Sequence, residues 1–241
     1  MKQNALTNTD TEQHNHLFLS VADQLSQTFL QLTRLAEEAK LSRADQTCTW
    51  EMVHVVSESA LLLTDAYVLN ERLRHRLQQP EIEPVALSSL FFRIQQRLEP
   101  FAKKYNIRLK LADVARLHPV MGDTVVLEAA LISLGQVLIM AEAASDTPSS
   151  LTLQAYRTSH GIVAGIYTAD SGLTTDAFRR ARSLHGRSRQ PLSKLGSGPA
   201  AGVFVANHLL QFIDTKLHVA RYNSLTGLGA TLPVCKQLQL V

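Results

Sequence analysis

Apolar positions at helical spacing dominate the N-terminal third of the chain. The sequence Thr-Asp-Thr-Glu at residues 9–12 has the form of a capping box, which predicts a helix that begins there and runs to about residue 40. A second apolar stripe, repeating every seven residues, predicts another helix over about residues 50–78. The positions expected to line one buried face of the first helix are Leu17, Val21, Leu25, Phe29 and Leu32.

Two long helices joined by a short loop predict an antiparallel hairpin. The apolar stripe on this hairpin is too wide for the two helices to bury between themselves, so it needs either the rest of the chain or a second copy. We favour the second copy, because two identical hairpins make a four-helix bundle with closed symmetry. The pattern therefore predicts a homodimer formed through residues 9–79.

The pattern changes after the proline-containing segment QQPEIEP, residues 78–84, which is predicted to be a linker. Helical segments then alternate with short stretches of period two, such as IRLKL at residues 107–111. Helices segregated onto an antiparallel sheet predict an α/β sandwich of the α+β class. The predicted domains are a helical hairpin at residues 9–79 and a sandwich domain at residues 85–241.

Composition narrows the possible functions. A chain of 241 residues with 45% hydrophobic and 19% charged residues can fold around its own core. Cys48 and Cys235 are far apart and no cluster has ligand spacing, so we expect neither a metal site nor a disulfide framework. The net charge of +3 does not indicate nucleic acid. The polar N-terminus and the absence of an apolar run near about 20 residues predict a cytoplasmic protein without a membrane span.

From about Leu17 to Val234 the order of elements resembles the catalytic core of sensor histidine kinases. That core is a dimeric phosphotransfer hairpin followed by an ATPase domain of the Bergerat type. In the aligned run FLSVADQL, Asp23 falls where the family places its phosphate-accepting histidine, and Gln24 falls where it places the activating acid. Aspartate offers no nitrogen nucleophile and glutamine no base. Asp23 as an ordinary solvated helix residue is the alternative interpretation.

The resemblance also extends to the helix that carries two asparagines in the family, the second of which holds Mg²⁺. Gly122, Asp123 and Leu127 match the start of that helix, and the asparagine positions fall on Ser133 and Val137. Valine cannot ligate Mg²⁺, which requires oxygen ligands. The resemblance thus implies a catalytic core that has lost its acceptor, its neighbouring acid and its metal ligand.

Two further nucleotide-binding segments of the family are partly retained. Asp170 and Gly172 match the aspartate and first glycine that bind adenine, while Gly196 and Gly198 match glycines that hold the phosphates at a helix start. Ordinary turns and a loop-to-helix junction explain these residues equally well. We expect no required cofactor, with residual ATP or ADP binding as an open alternative.

Together these observations predict a histidine-kinase-like pseudokinase that binds a response regulator or a kinase through its dimeric hairpin. One alternative is a histidine phosphotransferase of a phosphorelay, which would need an acceptor such as His54 or His75. Another is a nucleotide-binding regulator without kinase activity. The residues expected to border the partner-binding groove are Phe18, Ala22, Asp23, Ser26, Ala60 and Leu61.

Overall fold

The computed structural model describes residues 2–41, 46–114, 116–143, 150–169 and 201–235. It confirms the α+β class, with an N-terminal helical hairpin followed by helices packed on a sheet. The elements in chain order are α1 (Lys2–Leu41), α2 (Gln46–Arg74), β1 (Glu83–Val85), α3 (Leu87–Lys104), β2 (Arg108–Leu111), β3 (Val120–Gly122), α4 (Thr124–Ala143), β4 (Ser150–Thr158), β5 (Gly161–Thr168), α5 (Ala201–Gln211), β6 (Leu217–Tyr222) and β7 (Leu225–Leu232).

The ends of the two hairpin helices differ from the prediction. Helix α1 begins at Lys2, so residues 9–12 lie inside it and the predicted capping-box start is wrong. The preceding residues contain no glycine or proline, and nothing there stops the helix from extending. Helix α2 ends at Arg74, before the predicted residue 78, because Arg76 adopts a left-handed conformation with φ 56°. The Leu77 amide then donates to the Arg72 carbonyl at 2.9 Å and closes the helix end.

The five-stranded sheet has the order β2-β4-β5-β7-β6, with β2 and β4 parallel and the other neighbours antiparallel. Strand β5 lies at its centre and every one of its residues is buried. Helices α3, α4 and α5 supply buried side chains to the same hydrophobic cluster as the inward-facing residues of β4, β5 and β7. This arrangement is the predicted sandwich of helices on a sheet, but the prediction of a wholly antiparallel sheet is wrong, because β2 and β4 pair in parallel.

The predicted linker is held by the rest of the chain. Strand β1 pairs antiparallel with β3, with Glu83 opposite Gly122 and Val85 opposite Val120. The Glu81 amide donates to a carboxylate oxygen of Asp123 at 2.8 Å. A strand of three residues with a proline in the middle is too short for its periodicity to be recognised in the sequence. The segment therefore anchors the end of the hairpin connection to the start of α4.

One side of the hairpin packs against the C-terminal unit, which we define as residues 83–235. Leu17 and Val21 of α1 belong to the same hydrophobic cluster as buried residues of α4 and α5, and so do Leu63 and Ala66 of α2. The hairpin is thus partly covered by its own chain, the arrangement that the sequence analysis ranked second. The division into domains 9–79 and 85–241 stays a prediction, because one hydrophobic cluster contains residues from both sides of the segment 80–84.

Within the single chain, the predicted buried face of α1 is covered at Leu17 and Val21 but not at Phe29. Leu17 and Val21 are buried and Leu25 packs against the core, whereas the Phe29 side chain is 61% exposed. Eleven residues correspond to about 1100°, so Phe29 lies within about 20° of Phe18 around the helix and away from Leu17. Helix α1 therefore carries a second apolar face that its own chain leaves exposed.

Two of the described helical segments are long and apolar enough to cross a membrane. The sequence-based statement that the chain has no apolar run of about 20 residues is therefore too strong. The two segments are residues Thr49–Arg74, with 17% of the most apolar window buried, and Thr124–Ala143, with 67% buried. The second segment is α4, whose apolar side chains fill the core between the sheet and α5. Length and composition of this kind are weak evidence for a membrane span, because core helices pass the same test.

Candidate functional site

The two residues at the expected phosphotransfer position point to different surroundings. Asp23 is exposed on α1, and adjacent helix residues project about 100° apart. Gln24 is half-buried and lines a cavity between α1, α2, α3 and α4. Its Oε1 atom is buried without a hydrogen-bond partner. The two side chains therefore do not act as one group: the Asp23 carboxylate offers no nitrogen nucleophile, and the Gln24 amide offers no base.

Asp123 is the N-cap of α4 and one of the most constrained polar residues in the described chain. One of its carboxylate oxygens accepts hydrogen bonds from the amides of Val125 at 2.8 Å and Val126 at 2.9 Å. The other accepts from the Glu81 amide at 2.8 Å. A buried carboxylate with three such donors satisfies the free amides of the first helical turn. All of these contacts cap the helix, so the match of Asp123 to the start of the corresponding kinase helix is explained by a structural role.

The two positions that correspond to the family's asparagines lie in the contact between α4 and α5. Ser133 and Val137 are both buried, with Val137 only 4% exposed. A Cβ atom on Gly202 of α5 would lie 2.7 Å from the Ser133 carbonyl oxygen and 2.8 Å from a Val137 methyl. Only glycine permits so close an approach of the helices. The Val137 side chain is therefore buried against α5.

These residues do not fit a magnesium ion. Val137 has no oxygen, and the Ser133 hydroxyl donates to the Ala129 carbonyl at 2.9 Å inside the helix. Magnesium demands several oxygen ligands in near-octahedral geometry and keeps bound water, for which this packed contact offers no room. No group of three or more His, Cys, Asp or Glu side chains within the described ranges is arranged to hold a metal. The remaining nucleotide-site residues of the prediction, Asp170, Gly172, Gly196 and Gly198, lie outside the described residues.

A buried polar residue of α4, Gln136, joins this helix to the hairpin. Gln136 is buried, and its Nε2 atom donates to the Ser59 carbonyl at 3.0 Å and to the Ser59 hydroxyl at 3.1 Å. The two residues are 77 positions apart. A lone glutamine within an apolar helix is the one sequence signal of such a contact, because a buried amide needs a partner. It does not reveal which partner that is.

The predicted partner-binding groove lies on the exposed side of the hairpin. Phe18 is 53% exposed and Leu61 is 61% exposed, and Asp23 and Ser26 are also exposed, whereas Ala22 and Ala60 are half-buried. The Phe18 ring lies 6.3 Å from the Tyr67 ring, which joins the two helices at this end. Burial raises the pKa of the Tyr67 hydroxyl, with Glu71 acting in the same direction and Arg74 opposing it, so this ring stays neutral.

Two of the groove residues, Phe18 and Leu61, are among the exposed apolar residues of the hairpin. On α2 the spacing of Trp50, Leu61 and Val68 places all three within about 20° of one another around the helix. Each is an exposed large hydrophobic residue, as are Phe18 and Phe29 on α1. We call these five residues the hairpin strip. The hairpin thus exposes several large apolar side chains on both of its helices.

Two histidines of α2 lie beside carboxylates. The His54 side chain is 78% exposed, and its Nδ1 atom lies 3.8 Å from a carboxylate oxygen of Glu58. His75, in the turn after α2, has its Nε2 atom 3.6 Å from a carboxylate oxygen of Glu71. Of the two, His54 lies on α2 within the span of the hairpin strip, and its ring is open to an incoming protein.

Comparisons with known proteins show a likeness in structure alone. No family model and no curated protein matched the sequence. The histidine kinase AdeS of Acinetobacter baumannii is similar with a TM-score of 0.54 and 12% identity, over 88% of this chain and 97% of that one. Full-length ShkA in complex with AMPPNP is similar with a TM-score of 0.53 and 14% identity, over 92% of this chain and 46% of that one. The chain therefore has the fold of a histidine kinase catalytic core.

Proposed function

We propose that this protein is a histidine-kinase-like signalling protein without kinase activity, a pseudokinase that acts by binding two-component partners. The observation that carries the proposal is Val137. It replaces the metal-binding asparagine, it is buried, and α5 packs against it through Gly202. Phosphoryl transfer depends on a metal ion that neutralises the phosphate charge, so a kinase with no metal ligand at this position lacks its main source of catalysis.

The acceptor side supports the same proposal independently. A pseudokinase that had lost only its metal ligand would still present a nucleophile on the hairpin. Here Asp23 is exposed and Gln24 lines a half-open cleft between the hairpin, α3 and α4. Losses at sites on two different helices make a single alignment shift an insufficient explanation.

We further propose a homodimer that forms through the hairpin strip. One side of the hairpin is buried on the C-terminal unit, and the strip remains as the unpartnered apolar surface on the other side. A second copy would bury the strip symmetrically, with residues of one hairpin meeting the same residues of the other. The response regulator or kinase partner would then contact the end of the strip near Phe18, Ala22, Ser26 and Leu61, in a cytoplasmic protein.

The direct test is incubation of the purified protein with radiolabelled ATP and Mg²⁺, followed by alkaline and acid treatment. We expect no acid-labile label. An active histidine kinase core treated in parallel is the positive control. Acid-labile label on this protein would overturn the pseudokinase proposal. A thermal-unfolding titration with ATP and ADP, each with and without Mg²⁺, then tests the nucleotide-binding alternative, which requires a raised midpoint without phosphorylation.

The geometry of His54 favours a second candidate function, a phosphotransferase of a phosphorelay. An exposed imidazole with a carboxylate nearby has the accessibility that a phosphate carrier needs. In that case a phosphorylated receiver domain would transfer its phosphoryl group to this protein, and His54→Gln would abolish the transfer while His75→Gln would not. Absence of transfer from a panel of phosphorylated receivers leaves the binding function as the proposal.

A further inference from the structure

Two polar contacts join the hairpin and the segment that follows it to separate places along α4. In the C-terminal half of α4, the Gln136 side chain donates to the backbone carbonyl and the hydroxyl of Ser59 on α2. At the start of α4, the Asp123 carboxylate accepts from the backbone amide of Glu81, which follows α2 in the chain. At a rise of about 1.5 Å per residue, Asp123 and Gln136 are roughly 20 Å apart along the helix. We call these two contacts the clamp points.

Strand pairing reinforces the clamp point at the start of α4. Strand β1, which follows Glu81, pairs with β3, the strand that leads into α4. The Thr124 hydroxyl donates to a carboxylate oxygen of Glu83 at 2.8 Å. On the other side of β3, the Met121 amide donates to the Pro233 carbonyl at 2.8 Å, just after β7. The segment that leaves the hairpin is thus held by β3, which is itself held by the end of the sheet.

Apolar packing occupies the length of α2 between the clamp points. Leu63, Ala66 and Leu73 are each at most 5% exposed, and they belong to the hydrophobic cluster that contains the buried apolar residues of α4. Two parts of one chain are expected to move relative to each other unless their interface is large and hydrophobic. Here the contact of the hairpin with the C-terminal unit is apolar along its middle and hydrogen-bonded at both ends.

The separation of the clamp points restricts how the hairpin can move. Helix α2 runs antiparallel to α4 along this length, because Ser59 meets the C-terminal half of α4 and Glu81 meets its start. A single contact would let the hairpin rotate about that point, whereas two contacts roughly 20 Å apart oppose rotation. A hairpin that swings away must break the bonds of Gln136 and draw β1 from β3 in one movement. The buried amide of Gln136 would then lose both of its acceptors, which is unfavourable.

We propose that the two clamp points form a conformational lock, which holds the hairpin in one orientation on the C-terminal unit and is released only as a whole. The segment 80–85 then leaves β3 together with the separation of Gln136 from Ser59. Opening at one clamp point is therefore coupled to opening at the other, and the coupling is reciprocal. The lock rests on the contacts of α2 and α4 and not on the absence of kinase activity, so either proposal can fail without the other.

Limited proteolysis of the full chain with a glutamate-specific protease tests this coupling. Cleavage after Glu81 requires the held segment to leave β3, because a protease needs a locally opened chain. Cleavage after Glu128, inside α4, requires that helix to unfold and measures general unfolding in the same samples. We expect slow cleavage after Glu81 in the parent protein. Gln136→Leu changes only the distant clamp point, yet it should accelerate this cleavage about fivefold or more relative to cleavage after Glu128.

Three further variants complete the experiment. Ser59→Ala removes one of the two acceptors of Gln136 and should act in the same direction with a smaller effect. Asp123→Asn keeps a cap oxygen for α4 but loses the acceptor of the Glu81 amide, so it should accelerate cleavage directly. Arg93→Gln removes a hydrogen bond between α3 and α4 without touching the hairpin, and this matched control should have no effect.

Three results would overturn the lock. The first is acceleration by Asp123→Asn alone, with Gln136→Leu and Ser59→Ala cleaved after Glu81 at the parent rate. The second is equal acceleration by Arg93→Gln, which would reflect general destabilisation. The third is a parent protein that is already cleaved as fast as its variants.

Discussion

Placing an asparagine at position 137, where the resemblance to histidine kinases aligns one, should destabilise the protein without creating a metal site. Val137 is 4% exposed and packs against α5 at Gly202, so Val137→Asn transfers a polar amide into a closed apolar contact. Loss of the buried valine costs about 1.5–2 kcal/mol of transfer free energy. The unsatisfied amide costs a further ~1–3 kcal/mol on protein mutational scales. We therefore expect the free energy of unfolding to fall by roughly 3–5 kcal/mol.

Urea unfolding followed by circular dichroism measures this change. With a slope of about 3 kcal/mol per molar urea, the midpoint should fall by roughly 1 M or more. The matched control is Val125→Asn on the same helix, where the side chain is 57% exposed and the change should stay within about 0.5 kcal/mol. Equal stability of Val137→Asn and the parent, together with a midpoint raised by Mg²⁺-ATP, would refute the reasoning. It would mean that residue 137 reaches solvent and that the rest of a metal site is intact.

Four other changes test the remaining interactions. Asp123→Ala should lower the free energy of unfolding by about 2–4 kcal/mol, because the cap of α4 and the charge-assisted hydrogen bond from the Glu81 backbone amide are both lost. Asp123→Asn keeps the cap and should lower the free energy of unfolding less, and urea titration distinguishes the two variants. Gln136→Leu should lower the free energy of unfolding by about 1–2 kcal/mol in the same assay and increase amide hydrogen exchange in α2 around Ser59. Unchanged exchange would contradict the role of the Gln136–Ser59 hydrogen bond in holding the hairpin to α4. The mass of the parent protein from light scattering should be about twice 26.6 kDa. Leu61→Glu should reduce this mass to that of the monomer, whereas Arg72→Glu should not change it. A monomeric parent would overturn the dimer proposal. Lys104→Met should raise the unfolding midpoint at pH 7, because burial lowers the pKa of Lys104 and keeping its ammonium charged in the folded protein is unfavourable. Between the lowered pKa and 10.5 the unfolded chain holds a proton that the folded protein has lost, so the stability of the parent rises with pH and the gain from Lys104→Met should shrink toward pH 10.5. A gain independent of pH would refute this.

The exposed hairpin strip has consequences for how these experiments are interpreted. Phe18 and Leu61 belong both to the strip and to the predicted groove, so a second copy and a partner protein would compete for part of the same surface. A partner that binds only the monomer would lower the apparent mass of the dimer on titration, and a partner that binds beside the dimer would raise it. Mass measurements on mixtures therefore distinguish the two arrangements.

Sequence alone determined the features that depend on local chemistry. Hydrophobic spacing of 3.6 or 2 residues is enough to indicate the two hairpin helices and the alternation of β2, because each pattern lies within a few consecutive turns or pleats. Helix α4 is apolar on nearly all sides, so it was indicated by the resemblance at Gly122 and Asp123 and not by spacing. That Val137 has no oxygen to offer a metal and Asp23 no nitrogen nucleophile follows from residue identity, whereas their assignment to a catalytic site rests on the resemblance to histidine kinases. No packing arrangement can supply an oxygen to a valine side chain.

Tertiary structure decided what each apolar or polar face meets. Leu25 and Phe29 are equivalent in the sequence pattern, yet one packs against the core and the other is exposed. Gln136 needed a partner that lies 77 residues away, and the short strand β1 exists only because β3 pairs with it. Periodicity records the angle of a side chain around its own helix, whereas its burial depends on which distant segment packs there. That choice is made by the whole chain, because long-range contacts form only when the complete core is assembled.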